Sequence, residues 1–308
     1  MDRPRSATAA APASVGNVGV GFDILGHAIV GPADQVTVTR IDAPEVRIEA
    51  VEGVVTGLPL EPEKNTAGQA LLGLRARLGL AHGFEVRIRK GIPLGSGMGG
   101  SAASCVAALV AANAVLDRAA PLEVLYPCAL AGEAVASGAM HGDNVGPMLL
   151  GGLVLATHDR LVQVPVPDGL TCVLAHPHQI LETRTARAVL RRPFELPQFV
   201  EQSANLALVL AGCYRNDLEA IRAGLRDVLV EPLRAPLVKG FGPVKAAALA
   251  EGALGASISG GGPSVFAWCT PDRADRIGAA MEKAFALASV ACDVWISPVA
   301  APAARVVG

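Results

Sequence analysis

A glycine-rich segment at residues 93–103, PLGSGMGGSAA, carries the strongest chemical signal in the chain. Four of its glycines fall within six positions, and glycine lets a backbone turn its N–H groups toward a closely approaching ligand. The following Ala-rich stretch predicts a helix that begins near Ser101, and a helix start offers free N–H groups and a positive dipole end. This setting is typical of phosphate binding, to which the hydroxyls of Ser101 and Ser104 can add, at phosphate or at a magnesium ion. A purely structural turn is the alternative.

The segment differs from two other glycine-rich loops. No lysine follows the glycines, as a P-loop requires. No G-x-G-x-x-G pattern fits, and no acidic residue lies about 20 positions further on, as a dinucleotide-binding turn requires. The sequence therefore predicts phosphate binding through backbone groups and hydroxyls.

A carboxylate and a polar turn follow in the next predicted helix. Glu133 lies among alanines and glycines, eight residues before the sequence His141-Gly142-Asp143-Asn144. Magnesium prefers one or two carboxylates together with substrate phosphates, so Glu133 is a candidate ligand. The alternatives are an exposed helix glutamate and, for His141, Asp143 and Asn144, ordinary helix termination and capping.

Two further segments place small polar groups among apolar residues. Residues 12–23, PASVGNVGVGFD, are either a turn whose Asn and Asp satisfy their own backbone or a rim that orients a small polar substrate. Residues 255–264, GASISGGGPS, join two predicted strands through three consecutive glycines. A simple hairpin needs fewer glycines, so we expect something to approach this backbone closely.

The elements that must position these segments indicate an α+β protein. In the first half, residues 35–41, 45–51 and 84–89 alternate as half-buried strands, and residues 152–157 with 161–166 predict a hairpin. Helices are predicted at about 101–116 and 122–139. The second half begins near Asp168 and reads strand, helices, two strands, helix, strand, which resembles a ferredoxin-like α/β sandwich with inserted helices. The turn-rich residues 164–169 predict a boundary between domains 1–166 and 167–308.

Composition excludes several classes of protein. The chain has 26 basic and 28 acidic residues and few aromatic ones, which argues against a nucleic-acid surface. No stretch reaches the roughly 18 apolar residues of a membrane span, and the start lacks the apolar core of a signal peptide. The six cysteines form no CxxC pair, which suits buried thiols in a reducing compartment. We expect a cytoplasmic protein.

Taken together and in this order, the three glycine-containing segments resemble the motifs of the GHMP kinases, the superfamily of galactokinase, homoserine kinase, mevalonate kinase and phosphomevalonate kinase. Within it, PASVGNVGVGFD and His141-Gly142-Asp143-Asn144 followed by residues 145–152 are most similar to homoserine kinases. The resemblance spans essentially the whole chain. It implies an N-terminal domain like ribosomal protein S5, a ferredoxin-like C-terminal domain, and ATP between them.

The resemblance also implies an activity and a set of site residues. It implies ATP- and Mg²⁺-dependent phosphorylation of the side-chain hydroxyl of L-homoserine, in threonine biosynthesis. It implies no nucleic-acid or membrane partner, and a homodimer is a family expectation. The ATP-binding residues would be Pro93, Leu94, Gly95, Ser96, Gly97, Met98, Gly99, Gly100, Ser101 and Ser104. The magnesium ligands would be Ser101 and Glu133. The amino-acid site would contain Asn17, Asp23, His141, Asn144, Arg187, Arg234 and Gly260, with Asn17, Asn144 and Arg187 as catalytic residues.

The residue types suit this chemistry. Asp23 can face an α-ammonium group, and an arginine can bind an α-carboxylate bidentately. Some relatives place an aspartate as base near the attacking hydroxyl, whereas homoserine kinases resemble one another in having an asparagine there. Asn144 would then orient the substrate hydroxyl, and the proton of that hydroxyl would pass to the γ-phosphate. Asp143 is the alternative base.

The chain departs from the family pattern at Gly16, Val20, Met98, Gly100, Gly142, Gly261 and Ser264. These departures leave open another kinase of the same fold, acting on mevalonate, shikimate or a sugar. They also leave open a non-catalytic ligand-binding relative, although the presence of Ser101 and Glu133 argues against it.

Overall fold

The computed structural model describes residues 4–307, whose strands form two sheets. The elements of the first half are β1 (Ser6–Gly16), β2 (Leu25–Ile41), β3 (Val46–Gly53), α1 (Thr66–Leu78), β4 (Gly83–Lys90), α2 (Gly100–Val115), α3 (Leu122–Ser137), α4 (Val145–Leu150), β5 (Leu153–Ala156) and β6 (Leu161–Val164). These strands and the C-terminal β11 (Arg305–Val306) form the first sheet, in the order β11-β1-β2-β4-β3, with β5 paired to β2 and β6 paired to β5. Only β3 and β4 run parallel. The predicted hairpin is therefore β5 and β6, and the helices predicted near 101–116 and 122–139 are α2 and α3.

The elements of the second half are β7 (Thr171–Pro177), α5 (Thr183–Ala188), α6 (Leu196–Arg215), α7 (Leu218–Gly224), α8 (Glu231–Arg234), α9 (Phe241–Ala250), β8 (Gly255–Ile258), β9 (Val265–Cys269), α10 (Ala274–Leu287) and β10 (Cys292–Pro298), followed by β11. Strands β7 to β10 form the second sheet, in the order β10-β7-β9-β8, which is antiparallel throughout. This order of strands, with α9 and α10 packed against the sheet, fits the ferredoxin-like arrangement read from the sequence, and the predicted α+β class is confirmed.

Strand β1 was not recognised from the sequence, because its buried positions are mostly alanines. Ala9, Ala11, Ala13 and Val15 alternate along the strand and are fully buried. Small side chains in β1 let the alanine-rich helix α2 approach the sheet closely, and α2 is itself buried on most sides. The start of α2, where the glycine-rich segment ends, is therefore held rigidly against β1 and β2.

The chain ends by returning to the first sheet. β11 pairs with β1, the Val307 N–H donates to the Thr8 carbonyl at 2.8 Å, and the Ala304 N–H donates to the Met148 carbonyl at 2.8 Å. Residues 305–307 therefore pair with an edge of β1 that would otherwise leave backbone groups unpaired. The division into domains 1–166 and 167–308 stays a prediction. That prediction did not include the return of the C-terminal segment to the first sheet.

A buried pair of rings joins the two sheets. Trp268 on β9 donates its indole N–H to Nε2 of His27 on β2 at 3.1 Å, and both side chains are fully buried. Burial lowers the pKa of His27 to about 4, so the ring is neutral and able to accept this bond.

Within the described residues, no helix has the length and apolar character needed to cross a membrane.

Candidate active site

A cleft of about 640 Å³ opens where the two sheets meet. It is lined by the segment after β1, the glycine-rich segment, the end of α3 with the following turn, α5 and the loop between β8 and β9. The cleft brings together, among others, the predicted residues Asn17, Asp23, Pro93, Leu94, Gly95, Ser96, Gly97, Gly99, Gly100, Ser101, Ser104, Glu133, His141, Asn144, Arg187, Arg234 and Gly260. Met98 is the one predicted site residue outside this lining.

Three glycines of the glycine-rich segment have the left-handed backbone conformation that glycine favours. Gly95, Gly97 and Gly99 have φ values of 61°, 75° and 70°. A Cβ at Gly97 would lie 2.5 Å from the Ser259 carbonyl oxygen, and one at Gly99 would lie 2.6 Å from Ser14 Oγ. The glycines therefore allow the loop to pack against both other motif segments.

Two of the predicted nucleotide-binding residues, Met98 and Ser104, have hydrogen-bond partners within the protein. Met98 is fully buried, its N–H donates to Ser96 Oγ, and its carbonyl accepts from the Ser14 N–H, so neither its side chain nor its backbone is free for phosphate. The Ser104 hydroxyl donates to Asp34 at 2.7 Å and accepts from Lys90 at 2.8 Å. It is committed to a buried network beneath the loop, because buried polar groups must be paired.

That network was missed from the sequence. Lys90, the last residue of β4, forms a buried ion pair with Asp34 and donates to the Gly100 carbonyl at 2.6 Å. Asp34 also accepts the N–H groups of Gly91 and Ile92 at 2.9 and 3.1 Å. The pair ties β2, β4 and the start of α2 together under the loop. The only sign of this network in the sequence was Lys90 itself, a lysine on the buried face of β4.

Ser101 and Glu133 form the first chemical cluster in the cleft. Ser101 Oγ donates to Glu133 Oε1 at 3.0 Å, while Glu133 Oε2 is buried without a hydrogen-bond partner among the described residues. Burial raises the pKa of Glu133 to about 7, although the hydrogen bond from Ser101 opposes the shift. The exposed-glutamate alternative is therefore wrong. A carboxylate oxygen without a partner, beside a hydroxyl and next to a phosphate-type loop, fits a Mg²⁺ ion.

Asp23 and Arg187 form the second cluster. Arg187 donates to both carboxylate oxygens of Asp23, at 2.8 and 3.1 Å, and Nδ1 of His141 lies 3.3 Å from Asp23 Oδ2. Burial lowers the pKa of His141 below its usual value. His141 Nε2 and Arg187 Nε are buried without hydrogen-bond partners within residues 4–307. The cluster offers opposite charges and two free polar atoms to a small polar ligand.

Arg234 adds a second guanidinium near Arg187. Its Nε donates to the Ala186 carbonyl at 3.0 Å and its Nη1 to the Gly260 carbonyl at 2.9 Å. Burial and, next in size, the charge of Arg187 lower the pKa of Arg234 to about 10. Two cations therefore share one end of the cleft.

Asn17 connects the segment after β1 with the loop after β8. Its Nδ2 donates to the Gly260 carbonyl at 2.8 Å, and its Oδ1 accepts the Asp23 N–H at 2.8 Å. Its own N–H donates to Asp143 Oδ2 at 3.1 Å. The side chain of Asn17 thus fixes the position of Asp23 and Gly260.

Asn144 and Asp143 meet between these clusters. Asn144 Oδ1 accepts from Ser14 Oγ at 2.8 Å, and its Nδ2 donates to Asp143 Oδ1 at 3.1 Å, which fixes the orientation of the amide. Burial, followed by the charge of Asp23, raises the pKa of Asp143 to about 7. Asp143 was only the alternative base in the sequence analysis. Asp143 is buried in the lining of the cleft and accepts hydrogen bonds from the Asn17 N–H and from Asn144 Nδ2, so it belongs to the site.

The other end of the cleft was not predicted. Its walls include Leu58, Pro59, Ile88 and Asn65. Asn65 caps α1 by accepting the Ala67 N–H at 3.0 Å, and it donates to the Pro59 carbonyl at 2.9 Å. Leu58, Pro59 and Ile88 give this part of the cleft apolar walls.

Fold and site together define a small-molecule kinase of the GHMP type, and the family comparisons agree. The GHMP kinases N terminal domain matches residues 65–152, and the GHMP kinases C terminal domain matches residues 209–287. The chain belongs to the GHMP kinase family, as its motif segments predicted.

Comparison with individual proteins shows which GHMP kinases this chain is similar to. The chain is 59% identical to a homoserine kinase of Xanthomonas campestris pv. campestris, over 98% of this chain and 94% of that protein. It is 42% identical to a homoserine kinase of Chlorobium phaeobacteroides (strain BS1), over 98% of this chain and 100% of that one. The crystal structure of homoserine kinase from Cytophaga hutchinsonii superposes with a TM-score of 0.95 and 41% identity, covering 100% and 99% of the two chains. The mevalonate kinase of L. major, with 15% identity and a TM-score of 0.67, shares the fold.

Proposed function

We propose that this chain is a homoserine kinase, which transfers the γ-phosphoryl group of ATP to the side-chain hydroxyl of L-homoserine in threonine biosynthesis. The observation that carries the proposal is the Asp23–Arg187 ion pair in the same cleft as the glycine-rich loop. An amino-acid zwitterion presents a cation and an anion close together, and the pair offers the two complementary charges. The identity to homoserine kinases over nearly the full chain supports the same substrate.

The nucleotide would lie along the glycine-rich loop. Backbone N–H groups between Gly95 and Ser101, except that of Met98, and those at the start of α2 would face the phosphates, as helix N-termini do in other anion sites. Ser101 and Glu133 would hold Mg²⁺, which neutralises phosphate charge when bound. The apolar walls of Leu58 and Ile88 would receive the base.

The amino acid would lie at the end of the cleft that holds Asp23. Asp23 would bind the α-ammonium group, while Arg187 and Arg234 would bind the α-carboxylate. His141 Nε2 and Arg187 Nε, both buried without partners in the described chain, are available to the substrate. Asn17 would position Asp23 and Gly260 around it.

Positioning and charge neutralisation account for most of the catalysis in phosphoryl transfer. Asn144 would donate its remaining amide hydrogen to the substrate hydroxyl and orient one oxygen lone pair toward the γ-phosphorus. The new P–O bond forms as the bond to the bridging oxygen of ADP breaks, and the hydroxyl proton passes to an oxygen of the transferred phosphoryl group. An amide cannot accept this proton, which is why Asn144 is assigned an orienting role and not that of a base.

A coupled assay for ADP release tests the proposal with homoserine, mevalonate, shikimate and galactose as acceptors. We expect turnover with homoserine alone, and the ³¹P signal of a phosphate monoester in the product. Turnover with another alcohol in its place would identify a different kinase of this fold. ATP binding without turnover on any of the four would support a ligand-binding protein.

We also propose a cytoplasmic homodimer that contacts through α6. Leu196, Phe199, Val200 and Tyr214 expose 59–72% of their surface on this helix, and exposed apolar side chains can mark a protein–protein contact. Light scattering should give twice the chain mass for the wild type and a monomer for Phe199→Glu. A wild-type monomer at micromolar concentration would contradict the dimer.

A further inference from the structure

One aromatic ring in the site has no role in the proposed reaction. Phe22 lies in the turn between β1 and β2, directly before Asp23. Its ring centroid is 5.7 Å from Cζ of Arg187 and 5.2 Å from Cζ of Arg234. Both guanidiniums are therefore within the distance at which a cation is attracted by the face of an aromatic ring.

Backbone hydrogen bonds hold the turn that carries Phe22. The Gly21 N–H donates to the Asn17 carbonyl at 2.8 Å, and the N–H groups of Ile24 and Leu25 donate to the Gly21 carbonyl at 3.0 and 2.9 Å. Arg187 and Arg234 line the cleft, whereas Phe22 does not. The ring thus lies behind the two guanidiniums and acts through them.

The two guanidiniums need such a support because they repel each other. Arg234 is held by the carbonyls of Ala186 and Gly260, but the charged partner of Arg187 is Asp23. When the α-ammonium of a substrate binds Asp23, it competes with Arg187 for the carboxylate. The ring of Phe22 then remains as an attractive contact that keeps Arg187 beside Arg234.

We propose that Phe22 is a positioning residue for recognition of the substrate carboxylate: its ring holds Arg187 and Arg234 side by side so that both bind one carboxylate. This inference rests on the proposed function and assigns the pair of arginines to one end of the zwitterion. It predicts that the electron density of the ring, in addition to its volume, affects binding of the amino acid.

Graded fluorination of Phe22 tests the proposal with little change of shape. Mono-, di-, tri- and pentafluorophenylalanine, introduced by codon suppression, weaken attraction of a cation to the ring face step by step. We expect KM for homoserine to rise stepwise to about tenfold, which corresponds to about 1.4 kcal/mol. We expect kcat and KM for ATP to stay within about twofold, and the same series at the buried Phe285 to leave all three unchanged.

A substrate analogue separates carboxylate recognition from general packing. 3-Aminopropan-1-ol is homoserine without its carboxylate, and its inhibition constant against homoserine is expected to stay constant along the fluorine series. A flat KM for homoserine, or an equal rise for both compounds, overturns the role of Phe22. Failure of the unmodified protein to phosphorylate homoserine would overturn the proposed function instead, which is a separate outcome.

Discussion

Asp23 and Arg187, 164 positions apart in the chain, form a bidentate ion pair with N–O distances of 2.8 and 3.1 Å. The aspartate lies in the turn after β1 and the arginine lies on α5. The pair therefore connects the two sides of the cleft, one from each half of the chain. Its two charges neutralise each other. A zwitterionic substrate can replace both interactions at once, whereas a ligand with a single charge leaves one partner uncompensated.

Replacing Asp23 by Asn tests this arrangement. Asp23 has a φ of 63°, a conformation that asparagine also tolerates, so the turn is expected to persist. Loss of a charged hydrogen bond should raise KM for homoserine by about 10- to 100-fold and leave KM for ATP within about twofold. Steady-state kinetics with both substrates measure the two values. The matched control is the exposed Asp168→Asn, and an unchanged KM for homoserine would contradict the assignment.

Replacement of Asn144 and Asp143 separates orientation from base catalysis. If Asn144 orients the hydroxyl, Asn144→Ala should lower kcat by about 100-fold, while Asp143→Asn should lower it only about tenfold. Asparagine at 143 can still accept the N–H of Asn17 but no longer carries the charge. Single-turnover kinetics measure the chemical step. Loss of turnover in Asp143→Asn alone, with both substrates still bound, would identify Asp143 as the base.

The proposed magnesium ligands predict a specific loss in Glu133→Gln. The amide keeps the size of the side chain and can still accept from Ser101, but it lacks the charge that a hard cation prefers. We expect the Mg²⁺ concentration for half-maximal activity to rise at least tenfold and binding of Mn²⁺, followed by electron paramagnetic resonance, to weaken in parallel. Glu123→Gln, at an exposed position in the first turn of the same helix, is the control. Equal Mg²⁺ dependence in both variants would refute Glu133 as a ligand.

The buried Lys90–Asp34 pair predicts non-additive losses of stability. Lys90→Met leaves the Asp34 carboxylate without its charged partner, which should cost about 3–5 kcal/mol of unfolding free energy. The double variant Lys90→Met, Asp34→Asn should recover part of that loss, because the uncompensated charge is gone. Urea denaturation of the four proteins gives the coupling energy. Additive effects would show that the pair has no stabilising interaction beyond its separate hydrogen bonds.

His27 predicts a loss of stability at acidic pH. Its pKa falls from 6.5 to about 4 on folding, so the unfolded chain binds a proton below pH 6.5 that the folded chain does not. Its contribution therefore lowers the unfolding free energy as pH falls through this window, by about 2 kcal/mol between pH 7 and 5 at about 1.4 kcal/mol per pH unit.

The difference between wild type and His27→Gln isolates this effect. Burial raises the pKa values of Glu133 and Asp143, so their protonation stabilises the folded state as pH falls and opposes His27. These two residues are the same in both proteins. Urea denaturation at pH 7, 6 and 5 should give a steeper decrease for wild type than for His27→Gln. Parallel pH profiles would show that His27 is not the cause.

The sequence alone was sufficient for features that depend on local pattern. The β5–β6 hairpin, the helices α2 and α3 and the succession of strands and helices along the second half follow from the periodicity of apolar residues and from turn residues. Strand β1 was missed because alanines at its buried positions weaken that pattern, and β11 because it has only two residues, Arg305–Val306. Short strands form only where a neighbouring edge supplies hydrogen bonds, which no local pattern encodes.

For the site, the residue types and the order of the motif segments determined which residues gather in one cleft and the family to which the chain belongs. The tertiary structure decided what each of them contacts. Met98 turns into the core, Ser104 is paired with Asp34 and Lys90, and Asp23 is paired with Arg187. Such partners come from distant parts of the chain and are chosen by burial, because a buried charge or hydroxyl must find a partner in the fold. Residue type sets the chemistry that is available, and packing determines which atoms remain free to carry it out.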